Sequence, residues 1–298
     1  VKEMRVTQSM MANSSLRHLG NSFENLKNYS DQLSTGKKIS RPSQDPVVAM
    51  NGMRYRTQVA ETEQFKRNLS EAYNWMDTAD STLGQSTDAL QRVRELTVQA
   101  SNDSYEETQR ANIAKEVTQL REHLESMANT RSNNKYIFNG TDTTNPPVSV
   151  DDAGTYTVSD NEQNVEIELL KGVKVPVNIR PQNVYSEELF QDIQELENAL
   201  NDENTTAEDL TAMLDVLDVH INNTVNERAE LGARMNRVEM IDSRLQEQEV
   251  IAKRMMSDNE DAEIEQVITK LLAQENVHRA ALSSTSKIIQ PSLMDFLR

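Results

Sequence analysis

Cysteine is absent from the 298 residues, which removes disulfides, a thiol nucleophile and Cys-ligated metal together. Aromatic side chains make up only 4% and the apolar set 36%, against the ~45–50% usual in globular domains. A thick core is therefore out of reach. Paired helices sharing a narrow apolar seam are the architecture that such a Leu-, Ala-, Glu- and Asn-rich chain can fill. Nowhere does an apolar run approach the ~18 residues of a membrane span. The opening VKEMRVTQSMM lacks the apolar stretch of ~7–15 residues found in a cleaved signal peptide, which taken alone would indicate the cytoplasm.

Positive charge is also short. The formal charge of −17 opposes nucleic acid, whose binding depends on Lys and Arg neutralising phosphates, and it disfavours anionic membranes equally. Neither is expected as a partner. The first sixty residues run against the trend: nine basic side chains (Lys2, Arg5, Arg17, Lys27, Lys37, Lys38, Arg41, Arg54, Arg56) face four acidic ones (Glu3, Glu24, Asp31, Asp45). That start could meet the acidic flank of another molecule, although a solvated face is the plainer explanation.

The motifs that carry chemistry are missing too. Eight scattered glycines form neither phosphate-cradling loop nor nucleophile elbow. His18, His123, His220 and His278 fall on predicted helices with no paired metal clamp, and Glu122-His123-Leu124-Glu125 points its side chains about 100° apart in succession. Asp151-Asp152 sits in a loop with no pocket to shift its pKa values. No enzyme, cofactor or metal site is expected.

Seven prolines divide what is present. None lies between Pro46 and Pro146 or between Pro181 and Pro291, whereas Pro146, Pro147, Pro176 and Pro181 cluster in or beside one segment. An interior proline costs a helix about 3 kcal/mol, so two long helical stretches flank a short insert. In the first stretch Phe65, Leu69, Ala72, Met76, Ala79, Leu83, Ser86, Leu90, Val93 and Thr97 step by four and three, as a coiled-coil seam does. Asp45 and Pro46 suit a cap and first turn, and Ser101 to Ser104 suit the end. Ile113, Val117, Leu120, Leu124 and Met127 continue on a helix folded back. Glu187 to Leu200 is amphipathic, and Leu210, Leu214, Leu217, Ile221, Thr224, Arg228, Leu231, Met235 and Val238 repeat the seam with two polar positions.

In the insert Tyr156, Val158, Val165, Ile167, Leu169, Val173, Val175, Val177 and Ile179 alternate with period two around a Lys171-Gly172 turn, the signature of a hairpin that leans on the helices. At the chain ends Leu16, Leu19, Phe23, Leu26 and Leu33 form one apolar stripe, and Ile264, Ile268 and Leu271 with Leu282, Ile289, Leu293 and Phe296 another. The expected fold is mainly α: an elongated coiled-coil rod with a β-rich insert. Its parts are an assembly arm at 1–45, rod halves at 46–135 and 183–257, the insert at 136–182 and a second arm at 258–298. Plentiful methionines, Met50 and Met53 among them, suit either core filling or an adaptable interface.

The stretch Leu33 to Pro46, LSTGKKISRPSQDP, resembles the amino-terminal signature of the flagellin superfamily, with Gly36, Arg41, Pro42, Asp45 and Pro46 as its motif residues. Flagellins themselves usually end this signature in Ala-Lys-Asp-Asp-Ala; the Arg-Pro-Ser-Gln-Asp-Pro form looks like the hook-associated, junction-forming branch. Asn102 to Gly140 is similar as well. NERAELGARMNR, from Asn226 to Arg237, resembles the carboxy-terminal signature through Arg228, Leu231, Gly232, Asn236 and Arg237, and 257–262 and 288–298 match further.

The resemblance implies a non-enzymatic structural protein, flagellin-like in fold, exported through the flagellar channel into the extracellular flagellum after a transient cytoplasmic pool. There it would form a thin layer between hook and filament. Its partners would be neighbouring copies in a ring, a hook-side hook-associated protein, flagellin and an export chaperone bound around Leu282, Ile289, Leu293 and Phe296. The terminal arms would be disordered before assembly and paired after it, through Leu16, Leu19, Phe23, Leu26, Leu33, Ile264, Ile268 and Leu271. A filament-forming flagellin is the alternative, and a cytoplasmic coiled-coil scaffold a more distant one.

Overall fold

A computed structural model describes residues 8–102, 107–151, 154–202 and 204–289. The protein is 73% helical. The chain runs through α1 (Gln8–Thr35), α2 (Pro46–Ala100), α3 (Glu107–Ala128), six short strands, α4 (Pro181–Val184), α5 (Glu187–Asn201), α6 (Ala207–Glu260) and α7 (Ile264–Ile289). It divides into two units, residues 1–61 with 249–298, and residues 62–248.

The 62–248 unit is a helical bundle. The expected seam is the core: Leu69, Ala72, Met76, Ala79, Leu83, Leu90 and Val93 of α2 are buried, together with Leu210, Leu217, Leu231 and Val238 of α6. Ion pairs fix the helix directions. Arg94 meets Asp218 at 2.6 Å and Arg228 meets Asp80 at 2.8 Å, so α6 runs antiparallel to α2, while Arg92 meets Glu116 at 2.9 Å as α3 folds back. Polar seam positions are satisfied locally, because the Ser86, Thr97 and Thr224 hydroxyls donate to carbonyls four residues earlier. The other expected polar entry, Arg228, leaves the core and pairs at the surface. At the start of α6, Thr206 Oγ1 accepts from Asp209 N and Asp209 Oδ2 accepts from Thr206 N, a reciprocal cap.

The strands are three antiparallel pairs: β1 (Arg131–Ser132) with β2 (Lys135–Tyr136), β3 (Val148–Val150) with β4 (Tyr156–Val158), and β5 (Glu166–Leu170) with β6 (Val173–Pro176). The hairpin at Lys171-Gly172 is present, with Gly172 at φ +79°. Tyr156 and Val158 belong instead to a separate hairpin with β3. The alternation did not show this because the loop from 159 to 164 is polar and leaves no apolar register to break.

The strands rest on the bundle through buried aromatics. Tyr156 stacks on Phe190 of α5 with centroids 4.5 Å apart, and Phe138 meets Tyr185 edge-on. Arg121 of α3 joins both layers: its guanidinium pairs with Glu197 at 2.7 Å and donates to the Tyr156 hydroxyl.

Candidate assembly interface

In the unit of residues 1–61 and 249–298, α1 pairs with α7. The paired strip is thin. Ser22 and Val267 are buried, Leu19, Leu26 and Leu271 are half-buried, and Gln274 Nε2 donates to Ser22 Oγ at 2.9 Å. Of the expected arm residues, Leu16, Phe23, Leu33, Ile264, Ile268 and Leu282 stay exposed, Phe23 to 60%. Leu293 and Phe296 lie outside the described residues, as does the side chain of Ile289.

Exposed large apolar side chains are unevenly shared. Among the described residues the bundle unit has Val98, Val150, Val216, Val219, Val225 and Met240; the other sixteen belong to the terminal unit. They include Val47, Met50 and Met53 at the start of α2 and Val250, Ile251 and Met255 near the end of α6. Single exposed apolar residues mean little, but a concentration of this kind marks a surface built to be covered.

The amino-terminal signature is the turn between α1 and α2, in which Gly36, Asp45 and Pro46 each have a local task. Gly36, at φ +70°, ends α1 in the left-handed conformation that a Cβ would strain, and its N–H returns to Gln32 O at 2.8 Å. Gln44 Oε1 accepts from the backbone N–H groups of Ser40 and Arg41, holding the turn that carries exposed Arg41 and Pro42. Asp45 Oδ1 accepts from Val47 and Val48 N–H at 2.9 and 3.0 Å with Pro46 at the first helical position, so α2 starts where its cap predicts.

This turn is clamped to the break between α6 and α7. Lys38 N–H donates to Glu260 O at 2.6 Å and Ala262 N–H to Gly36 O at 2.8 Å, around a single bridge between Lys37 and Asp261. Lys37 Nζ reaches Asp261 Oδ1 at 2.6 Å. That hydrogen bond raises the Lys37 pKa and lowers the Asp261 carboxyl, which also accepts from the Ser257 hydroxyl. Glu260, its side chain 6% exposed, takes Arg56 at 2.7 Å and Lys37 at 3.5 Å on one carboxylate oxygen. The other oxygen lies against Gly52, where a Cβ would come within 2.5 Å. Beside the clamp is a cleft of about 260 Å³ lined by Lys37, Ile39, Arg41, Pro42, Val48, Met53, Arg56 and Glu260, among others.

Residues 6–143 match the family of the bacterial flagellin N-terminal helical region. Flagellar hook-associated protein 3 of Escherichia coli is 28% identical, over 93% of this chain and 95% of its own length. Among solved structures, a flagellar hook-associated protein of Vibrio parahaemolyticus superposes with a TM-score of 0.68 at 19% identity, over 73% of this chain and all of the other. The flagellar junction protein of Legionella pneumophila does so at 0.60 and 17% identity, over 71% of this chain and all of its own.

Residues 6–143 are thus a flagellin-type amino-terminal helical region, and over nearly its whole length the chain is similar to hook-associated protein 3. It is a structural protein of the bacterial flagellum, and its fold is flagellin-like.

The second signature is on α6 in the bundle unit. Arg228 makes two hydrogen bonds to Asp80, and its guanidinium lies 3.5 Å from where Gly84 would carry a Cβ. Leu231 is buried, whereas Asn236 and Arg237 are exposed. Gly232 is different: nothing lies within 4 Å of a Cβ built there. The sequence reading missed Glu260 and Gly52. A lone acid at a helix end gives no warning of a basic partner 204 positions earlier. Among the described residues no helix is long and apolar enough to cross a membrane, and no group of three His, Asp or Glu side chains could hold a metal.

Proposed function

We propose that this chain forms the layer joining the flagellar hook to the filament. Copies sit side by side in a ring, with a hook-side hook-associated protein on one face and flagellin on the other. What supports this most is the near full-length likeness to hook-associated protein 3, the β-rich segment included. The concentration of exposed apolar side chains on the terminal unit agrees with it, because a ring of copies supplies the missing wall.

The chain reaches the outside of the cell through the flagellar export channel after a short cytoplasmic stay. An export chaperone covers the stripe at Leu282, Ile289, Leu293 and Phe296 until then. Assembly couples association to ordering of the arms, since a lone helix cannot bury a narrow stripe. Deleting the gene from its motile host and imaging the cell envelope tests the reading. Hooks without filaments, with flagellin shed into the medium as monomer, is the expected result; normal filaments would refute it, and loss of flagellin itself would favour the filament-subunit alternative. A chain ending near Ser257 that still binds the chaperone would remove the chaperone site.

A further inference from the structure

The cleft beside the clamp is too small and too mixed for a small-molecule site. Its ~260 Å³ falls below the ~300–1,000 Å³ of ligand pockets, so it fits a few side chains presented by another surface. Its lining sets apolar Ile39, Val48 and Met53 beside three cations, Lys37, Arg41 and Arg56, and one carboxylate, Glu260. Lys37 and Arg56 are neutralised by Asp261 and Glu260, whereas Arg41 has no carboxylate partner among the described residues. An uncompensated cation beside apolar side chains selects an apolar side chain flanked by a carboxylate.

The bundle unit of the same chain carries one such surface. Among its six exposed large apolar side chains, Val216 and Val219 lie three positions apart on α6, with Asp215 exposed at their edge. Asp218 is already taken by Arg94. Met240, by contrast, has Arg237 and Arg244 at the neighbouring helical positions, which would repel the cleft. On a chain of net charge −17, the unpaired Arg41 cation beside the cleft is also complementary to other copies of itself.

We propose that the cleft between Arg41 and Met53 receives the Asp215–Val219 face of α6 from a second copy of this chain. The inference rests on the junction reading and specifies one contact within it. Val216 and Val219 meet Ile39, Val48 and Met53, and Asp215 meets Arg41.

The test complements a strain lacking the gene with Arg41→Glu, Asp215→Arg or both. Each single reversal should lower filament number about tenfold by placing like charges together, and the pair should restore it. Single variants without effect, or a double variant no better than either, overturn the contact. Because the chain has no cysteine, Met53→Cys with Val216→Cys provides a second measurement, and both positions are exposed, so folding is spared. Air oxidation of purified flagella should give a ladder of disulfide-linked oligomers. Protein that assembles at the hook tip yet stays monomeric defeats this contact and leaves the junction reading standing; wild-type protein absent from the flagellum defeats the junction reading itself.

Discussion

The Glu260 carboxylate lies between Arg56, 2.7 Å away, and Gly52, whose missing side chain makes room for it. Two residues one helical turn apart on α2 thereby hold the end of α6, one by charge and one by absence. In an open helix interior, Gly to Ala stabilises by about 0.5–1 kcal/mol. At position 52 the sign should reverse.

Gly52→Ala is accordingly expected to push Glu260 out of its buried seat and lower stability by about 1–2 kcal/mol, the range for losing a charge-assisted hydrogen bond that is partly screened. Hydrogen exchange at the Lys38 and Ala262 amides reads the loss directly. Unchanged protection there would show that the carboxylate is not seated as described.

Gly232→Ala should do the opposite. With nothing within 4 Å of the added Cβ, the isolated protein should gain about 0.5–1 kcal/mol in denaturant melts. If the more stable variant also fails to build filaments, the family's glycine serves a neighbour in the assembled state; a destabilised monomer would place its role inside the bundle.

Ser86 and Tyr185 share a hydrogen bond of 2.6 Å, both side chains fully buried. Burial drives the Tyr185 pKa far above the ordinary phenol value, so the hydroxyl keeps its proton throughout the usable pH range. Ser86→Ala strands that hydroxyl and should cost about 1–3 kcal/mol, whereas Ser86→Ala with Tyr185→Phe should cost clearly less than the sum of the two singles. Additive losses in denaturant melts would contradict a shared bond.

The clamp should also depend on pH in a defined direction. Asp261 has a folded pKa below its ordinary value, so its contribution is present above about pH 3.8 and is lost as pH falls through the lower folded value. Lys37, raised above its ordinary value, contributes at every lower pH and loses its share only as pH rises past 10.5. The pair is exposed enough that its worth is no more than about 1 kcal/mol. The stability difference between wild type and Asp261→Asn should therefore be measurable at neutral pH and shrink steadily as pH falls below 3.8. A difference that does not shrink would assign Asp261 a purely steric part.

The sequence revealed elements wherever burial repeats along one helix. The α2 and α6 seams, the cap at Asp45 and the turn at Gly172 all come from residues close together in the chain, where periodicity and backbone preference act. What stayed hidden joins distant positions. Arg56 and Glu260, Arg121 and Glu197, and His220 and Asp192, which meet at 2.6 Å, are polar pairs whose members look like ordinary helix surface when read singly. The arm stripes were legible as apolar. That α1 and α7 bury Ser22 and Val267 while Phe23 and Ile268 stay largely exposed depends on how two helices rotate against each other, which a stripe about 100° wide leaves open.

The three strand pairs have a kinetic consequence. Each ladder joins residues no more than ten positions apart, from Arg131 with Tyr136 to Glu166 with Pro176. A chain emerging extended from a channel, as the proposed export requires, can close such short loops early, because their entropic cost is small and no remote partner is needed. The helix pairs that join α2 to α6, and α1 to α7, must wait for segments more than a hundred residues away. Folding should therefore proceed from the middle of the chain outward, with the two ends the last to find their place.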